Sequence, residues 1–354
     1  DFESGEAIDV SNDISISQKC TVSEKWDGEL LGEEDVKAKL VSDGKKDITF
    51  MTIDSDGSEK ETKYNKDCYH VDVSSALDFA SVIQNLNEFG NACYVINLKN
   101  SIDLAKKTWT PIILDGYGSL NGCEIIVNGN GYSIYNMSIE EAVKDKNGKG
   151  INSVGLFSGA WSTVKLEIND LTIDGAIVKC ESNESFVCAA GFVGSVDSSH
   201  SVKLKNCILK DSKIESSNYV GGMMGWNSGY DALNNGAVKT HVDFISCKVI
   251  GSKLSAKGSV GGIIGHAGAS AYTYNNVESC TVEKTSIAST GDSDKKAGAI
   301  VGTVNVGEMK IEKSSYNNDM TVVSHETAIN ERCYGRFVPN STGKLIIDGV
   351  EVTN

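Results

Sequence analysis

Short runs in which apolar and polar residues alternate cover much of the chain, and this period of two is typical of half-buried β-strands. It is clearest in Val202–Leu209, Val242–Val249 and Val277–Val282, and Leu166–Ile173 and Met309–Ser314 fit the same frame. Asn, Asp, Ser and Gly separate the runs, which places tight corners between them. The pattern predicts an all-β chain with several short strands in each repeating segment.

A tetrad of two apolar residues flanked by small ones recurs between these strands. Its five copies end 31 to 40 residues apart and are Gly155–Ser158, Gly191–Gly194, Gly222–Gly225, Gly262–Gly265 and Ala299–Gly302. A unit of this size cannot bury its apolar face alone, so successive units must stack and share one core. We therefore predict a right-handed parallel β-helix (solenoid), with coils over about residues 92–330 and closing strands over 331–354.

The segment before the repeats has helical periodicity instead. Apolar residues recur at helical spacing between Ser74 and Phe89, with Ser74 or Ser75 as the N-cap and Gly90 as a stop signal. A capping helix over 74–90 would cover the open edge of the first coil and prevent end-to-end pairing.

The first part of the chain lacks the repeat and carries more charge. We interpret residues 1–72 as a small, separate β-rich element with a hairpin near Ile48–Gly57, and residues 73–354 as the β-helix domain. The sequence begins at Asp1 without Met or an apolar signal core, which has the appearance of a processed terminus.

Composition and charge narrow the choice of partners. The 354 residues include 36 Gly and only 2 Pro, so the turns must be made by Gly, Asn, Asp and Ser. The formal net charge of −15 disfavours nucleic acids and anionic lipid surfaces as partners. Because no run of about 18 apolar residues occurs, insertion of this chain into a membrane is not expected.

Several segments resemble the opening of adhesin-like β-helix proteins, namely Trp109–Ile112, Asn128–Ile134, Asn136–Ile139 and Gly155–Phe157. The later tetrads are similar to the GLUG repeat of bacterial surface proteins in that group, and the resemblance covers about residues 92–304. It implies a right-handed β-helix of the pectin-lyase-like class that is exported, displayed on a cell surface and engaged in binding.

Aromatic residues that follow the tetrads are the main candidates for ligand binding. They are Trp161, Trp226, Tyr230, His266, Tyr272 and Tyr274. Equivalent positions in adjacent coils lie side by side, so these side chains would form a patch of rings interleaved with Asn and Asp, which suits sugars. We expect an extracellular, monomeric adhesin-like protein that binds a glycan or a host or cell surface, without a cofactor.

Two other functions remain open. A carbohydrate-active enzyme, either a polysaccharide lyase or a glycoside hydrolase, needs paired carboxylates on neighbouring coils, and Asp174, Asp211 and Glu283 are candidates beside turn residues. The two arginines, Arg332 and Arg336, lie outside the repeat, which weakens the case for a lyase. The third function is that of a structural stalk without a ligand.

The cysteines give two further hypotheses. Cys207, Cys247 and Cys280 share one repeat position and should stack as a buried ladder of thiols, because parallel in-register side chains point the same way. Cys180 and Cys188 flank a loop that a disulfide could close.

The evidence for a metal site in the sequence is weak. Asp54, Asp56 and Glu59 place oxygen ligands at a spacing that Ca²⁺ could use, but Asp-Gly between two strands is also the usual hairpin signal. The histidines have no spacing that is typical of a metal site.

Overall fold

A computed structural model of the chain describes residues 24–53, 58–140, 148, 150–182, 186–197, 201–229, 240–268, 273–291, 296–317, 319–324, 327–328, 333–338 and 343–353. These residues form an all-β, parallel β-solenoid of about six turns, as the alternating pattern predicts. A full coil passes through five sheets, which we number I to V in the order in which the chain visits them.

Sheet I is the longest, and both of its ends are antiparallel. Among the described residues it contains β1 (Val41–Ile53), β2 (Glu59–Val73), β3 (Cys93–Leu98), β6 (Cys123–Asn128), β11 (Val164–Asn169), β16 (Ser201–Lys205), β21 (Thr240–Ile245), β26 (Thr273–Glu278), β31 (Gly307–Glu312), β36 (Gly343–Ile347) and β37 (Val350–Glu351). The pairs β1–β2 and β36–β37 are antiparallel, and the pairs between them are parallel.

The other four sheets are built from short strands. Each coil contributes at most one strand to a sheet, except that the last coil contributes an antiparallel pair to sheet III. Sheet II contains β4 (Ile102–Asp103), β7 (Ser133–Tyr135), β12 (Thr172–Asp174), β17 (Ile208–Lys210), β22 (Lys248–Ile250), β27 (Thr281–Glu283) and β32 (Ser315–Tyr316). Sheet III contains β8 (Ser138–Ile139), β13 (Ile177–Cys180), β18 (Lys213–Ser216), β23 (Lys253–Ala256), β28 (Ser286–Ser289), β33 (Thr321–Ser324) and β34 (Thr327–Ala328).

Sheets IV and V complete each coil. Sheet IV contains β9 (Ser153–Val154), β14 (Cys188–Ala190), β19 (Tyr219–Gly221), β24 (Ser259–Gly261) and β29 (Ala297–Gly298). Sheet V contains β5 (Ile113–Gly116), β10 (Phe157–Ser162), β15 (Val193–Asp197), β20 (Met224–Asn227), β25 (Ile264–Ala267), β30 (Val301–Val304) and β35 (Tyr334–Phe337). We call β11–β15 coil 3, β16–β20 coil 4, β21–β25 coil 5 and β26–β30 coil 6.

The helices in the described ranges lie before the first coil. They are α1 (Glu33–Lys37), α2 (Ala76–Gln84) and a 3₁₀ helix (Leu86–Glu88), so the segment predicted as one helix over 74–90 is divided at Asn85. The Ser75 hydroxyl accepts a hydrogen bond from the Asp78 amide at 3.1 Å and caps α2. Phe79 of α2 stacks on Trp109 of the first coil at 5.8 Å, so the helix covers that end of the core.

None of the helices in the described part of the chain is long and apolar enough to cross a bilayer. The N-terminal hairpin expected from the sequence corresponds to β1 and β2, and β2 continues in parallel register with β3, where Cys68 faces Cys93. The hairpin therefore shares sheet I with the solenoid.

The tetrad glycines lie where strands of sheets IV and V touch through their backbones. A Cβ on Gly222 would lie 2.3 Å from the Gly262 carbonyl oxygen in the next coil, and one on Gly265, in sheet V, would lie 2.6 Å from the Val220 carbonyl oxygen in sheet IV. Neither Gly222 nor Gly265 has a positive φ, so both positions need glycine for space and not for a left-handed backbone. The first Gly of the tetrad therefore marks a close backbone contact that recurs in coils 3 to 5.

Replacing Gly222 with Ala tests this contact. We expect Gly222→Ala to lower the free energy of unfolding by roughly 2–3 kcal/mol, because the new methyl group meets rigid backbone. The matched control is Gly150→Ala, where a Cβ meets nothing within 4 Å. Urea unfolding followed by circular dichroism measures both, and equal stabilities of the two variants would contradict the role assigned to Gly222.

Candidate functional site

Four ring side chains from three consecutive coils form a continuous cluster, which we call the aromatic ledge: Phe186, Tyr219, Trp226 and His266. Phe186 and Trp226 are stacked with ring centroids 4.9 Å apart and planes 7° from parallel. Tyr219 lies 5.9 Å from Trp226 and 4.8 Å from His266. The ledge is therefore connected from coil 3 to coil 5.

The positions of these rings follow from strand register. Trp226 of β20 and His266 of β25 are direct register partners on sheet V. Tyr219 is the first residue of β19 on sheet IV, and Phe186 lies in the segment between β13 and β14. Because sheets IV and V touch at the glycines, a ring at the start of a sheet IV strand comes within reach of rings on sheet V.

Phe186 is the most unusual member of the ledge. Its side chain is 54% exposed, and its backbone has a φ of 67°, in the left-handed region that a bulky residue rarely adopts. An exposed ring in this conformation costs free energy of order 1 kcal/mol or more. Its stacking on Trp226 partly offsets this cost, and the combination marks the position as a candidate for function.

The structure brings only part of the predicted aromatic patch together. Trp226 and His266 lie on the ledge, whereas Tyr274 lies on sheet I, stacked on His241 at 5.0 Å. Tyr230 and Tyr272 lie outside the described residues.

Trp161 does not occupy the position equivalent to Trp226, and that part of the prediction is wrong. On sheet V, Trp161 pairs with Asp197, while Trp226 pairs with Ser195, two residues earlier. The two tryptophans follow their tetrads at different distances, which shifts them along the strand. The Trp161 Nε1 atom is buried and has no hydrogen-bond partner within the described residues.

Burial controls the charge of His266. Removal from water lowers the pKa of His266 to about 4, and the positive charges of Arg336 and Lys296 act in the same direction. The imidazole is therefore neutral at pH 7. A neutral ring can both donate and accept hydrogen bonds, which suits a hydroxyl-bearing ligand.

A polar cleft of about 440 Å³ lies beside the ledge, at the corner between sheets III and IV. We call it the corner cleft, and it is lined by Glu181, Ser182, Glu215, Ser216, Ser217, Ser255, Ala256, Lys257 and Thr290. Tyr219 of the ledge is two residues after Ser217 of the cleft in the sequence, so the ledge and the cleft are neighbours.

Hydrogen bonds hold the segment 181–187 against the next coil. The Ser182 amide donates to the Ser217 hydroxyl at 3.1 Å, and the Ser216 hydroxyl donates to the Val187 carbonyl at 2.9 Å. The Tyr219 amide also donates to the Val187 carbonyl, at 3.0 Å. These bonds anchor both ends of the segment that carries Phe186.

Both carboxylates of the cleft have basic neighbours. Glu181 lies 3.1 Å from the Lys179 ammonium, and Glu215 lies 2.9 Å from that of Lys213. The Ser255 hydroxyl donates to Glu215 at 3.5 Å. The cleft thus offers hydroxyl and carboxylate groups whose charge is partly compensated.

The carboxylates considered for catalysis lie at another corner, between sheets II and III. Asp174 pairs with Lys210 at 3.1 Å, and Glu283 accepts a hydrogen bond from Asn317 at 3.3 Å. Asp211 has a φ of 46°, which is the geometry of a tight corner. These residues lie one corner away from the cleft and the ledge.

The structure places Cys207, Cys247 and Cys280 together as fully buried thiols. The Cys247 amide donates to the Cys280 sulfur at 3.3 Å, and the Cys247 thiol donates to the Leu204 carbonyl at 3.3 Å. Burial raises the pKa of Cys247, and a hydrogen bond with Cys247 together with burial raises that of Cys280. Cys247 and Cys280 therefore remain protonated at neutral pH.

A second thiol cluster was missed by the sequence reasoning. Cys68 and Cys93 are register partners on β2 and β3, and the Glu124 amide, next to Cys123, donates to the Cys93 sulfur at 3.3 Å. Cys68 and Cys123 lie outside the repeat used to align the other cysteines. Only the pairing of β2 with β3 could have revealed this cluster.

Cys180 and Cys188 are both buried and both free thiols in this structure. Burial raises the pKa of each to about 12. Of the weak calcium candidates, Asp54 and Asp56 lie outside the described residues, as does the side chain of Glu59. In the described ranges, no group of three or more His, Cys, Asp or Glu residues could hold a metal ion.

Comparisons with protein families, with curated proteins and with solved structures found no match for this chain. The sequence reasoning also missed Phe186 and Tyr219, because it considered only aromatic residues that follow a tetrad. Both precede one, and the strand of sheet IV that precedes the tetrad Gly222–Gly225 begins with Tyr219.

The depressed pKa of His266 predicts a loss of stability in acid. The unfolded chain takes up a proton near pH 6.5, whereas the folded chain does so only near pH 4. Between these values the unfolded state binds more protons, so stability falls as the pH falls. We expect this group to contribute a loss of about 2–3 kcal/mol between pH 7 and pH 4.

His266→Gln is the comparison for this effect. The stability advantage of wild type over the variant should shrink by that amount across the same pH range, as measured by urea unfolding. Carboxylate titration is common to both proteins and cancels in the difference. An advantage that stays constant with pH would show that the folded protein does not hold His266 neutral.

The buried thiols predict a pattern of chemical protection. In native protein, iodoacetamide should label the half-buried Cys333 well before Cys207, Cys247 or Cys280, because alkylation needs an exposed thiolate. Peptide mass spectrometry after timed labelling gives the rates. Native labelling of the three ladder thiols at the rate of Cys333 would contradict the ladder.

Proposed function

We propose that the protein is an extracellular, adhesin-like binding protein that recognises glycans of a host or cell surface through the aromatic ledge. The observation that carries this proposal is Phe186, whose exposed ring is held at a φ of 67° and stacks 4.9 Å from Trp226. The backbone conformation of Phe186 lowers stability, although its ring faces solvent. Contact between this ring and a ligand would account for that cost. The similarity of the tetrads to GLUG repeats of exported surface proteins supports export and display.

Glycans suit the chemistry of this surface. The CH faces of sugars pack on aromatic rings, and their hydroxyls bond to polar groups nearby. The ledge supplies the rings, and the corner cleft supplies serine hydroxyls and carboxylates. The net charge of −15 disfavours strongly anionic ligands by long-range repulsion.

Retention on a panel of immobilised polysaccharides and mucin glycans tests the proposal. Phe186→Ala and Trp226→Ala should each weaken binding to the retained glycan by roughly tenfold or more, since each removes a stacked ring. Tyr117→Ala is the matched control, because Tyr117 is 53% exposed and Phe186 is 54% exposed. Lack of retention on every glycan, or equal losses in all three variants, would refute the ledge as a glycan site.

A second candidate function is hydrolysis of the bound glycan. Glu181 and Glu215 come from neighbouring coils and line the same cleft, as the two carboxylates of a glycosidase must. Release of new reducing ends from the retained glycan, abolished by Glu215→Gln, would support the enzyme. Retention without release supports binding alone.

A further inference from the structure

The corner cleft, over coils 3 to 6, and the aromatic ledge, over coils 3 to 5, run in the same direction along the solenoid. The cleft takes Glu181 from coil 3, Ser217 from coil 4, Lys257 from coil 5 and Thr290 from coil 6. Hydrogen-bonded strands are about 4.8 Å apart, so the cleft extends about 14 Å along the solenoid axis.

The length of the corner segments defines the two ends of the cleft. Only residues 217–218 and 257–258 separate sheets III and IV in coils 4 and 5, whereas residues 181–187 and 290–296 separate them in coils 3 and 6. Glu181 and Thr290, the first residues of the longer segments, line the ends of the cleft. The shortest corners, in coils 4 and 5, therefore form the middle of the cleft.

Close backbone contacts make the floor regular. A Cβ on Gly258 would lie 2.2 Å from the Asn218 carbonyl oxygen, and one on Gly291 would lie 2.0 Å from the Lys257 carbonyl oxygen. These corners therefore stack directly on one another without an intervening side chain. Polar groups of the floor repeat once per coil along a straight line.

Small side chains on sheet III provide the width of the cleft. Lys179, Glu215, Ser255 and Ala288 occupy equivalent register positions in coils 3 to 6. The long side chains of Lys179 and Glu215 form ion pairs, and the side chains of Ser255 and Ala288 are short. Space for a ligand therefore opens beside Ser255.

We propose that the ligand is an extended, neutral polysaccharide chain that lies parallel to the solenoid axis, with its hydroxyl edge in the corner cleft and sugar faces against the aromatic ledge. This inference rests on the proposed function. A surface that repeats once per coil fits a linear polymer whose sugars repeat at a similar spacing. A single terminal sugar or a branched determinant would occupy only one coil.

The charges in and around the cleft favour a neutral chain. Glu181 and Glu215 already have lysine partners, Lys257 adds a single positive charge, and the remaining lining groups are mainly hydroxyls. A polyuronate would place carboxylates beside these two glutamates and against a net charge of −15. Hydroxyl groups can donate and accept hydrogen bonds with uncharged sugars, and the carboxylates can accept them.

The test is the dependence of affinity on chain length. Calorimetric titrations use linear oligosaccharides of one to eight sugars derived from cellulose, chitin, xylan and mannan, with oligogalacturonates of the same lengths as the anionic series. We expect affinity for at least one neutral series to rise at least tenfold between two and about four sugars and then to level off, since four sugars span the cleft.

The alternative results separate the two proposals. Binding that is as tight for one or two sugars as for six, or tighter for oligogalacturonates, would overturn the extended neutral ligand. Retention of the protein only by branched glycans or terminal sugars of the immobilised panel would also overturn the extended neutral ligand. These results leave glycan binding by the ledge in place, whereas no binding to any glycan removes both proposals.

Variants in the cleft locate the effect. Ser255→Tyr fills the middle of the cleft and should weaken binding of the hexasaccharide at least tenfold while changing disaccharide binding about twofold or less. Ser286→Tyr is the control, because Ser286 is also a partly exposed serine on sheet III but does not line the cleft. Full hexasaccharide affinity in folded Ser255→Tyr would overturn the assignment.

A second variant covers the case in which Ser255→Tyr does not fold. Glu215→Gln keeps the shape of the side chain and removes its charge, so it should preserve the thermal unfolding temperature within a few degrees. We expect it to weaken hexasaccharide binding several-fold without affecting the disaccharide. An unchanged hexasaccharide affinity would contradict a ligand in the cleft.

Discussion

The backbone contact between sheets IV and V is the constraint on which the rest of the structure depends. A Cβ on Gly221 would lie 1.9 Å from the Met224 carbonyl oxygen, and one on Gly261 would lie 2.1 Å from that of Ile264. No other residue fits there without moving the backbone. The chain must therefore turn sharply between these two sheets in coils 4 and 5. This sharp turn brings Tyr219 close to Trp226 and His266, so the ledge is a consequence of the glycines.

The alternating pattern was sufficient to predict the solenoid. Residues such as Val202, Leu204 and Cys207 all point into the core, and stacking them removes apolar surface from water in every coil. The same logic predicted the thiol ladder, because a position shared by successive repeats becomes a row of neighbours in a parallel sheet. It could not find Cys68 and Cys123, which lie outside the aligned repeats.

The aromatic site was harder to predict, for reasons of register and of loop conformation. A tetrad fixes where a coil turns, but Trp161 follows its tetrad by three residues and Trp226 by one. A shift of two residues keeps the side chain on the same face and moves it along the strand. Phe186 could not be found by periodicity, because it lies in a corner segment between β13 and β14, outside the alternating strands.

The candidate site lies where the repeat is least regular. Most of the cross-section recurs from coil to coil, so a ligand bound there would meet the same groups at every level and would have no fixed register. The longer segments that begin at Glu181 and Thr290 break this symmetry at two levels, on either side of the two coils with the shortest corners. The regular coils form the middle of the cleft, and different residues line its two ends. A ligand chain along the solenoid axis would therefore have a fixed register, while the core remains a simple repeat.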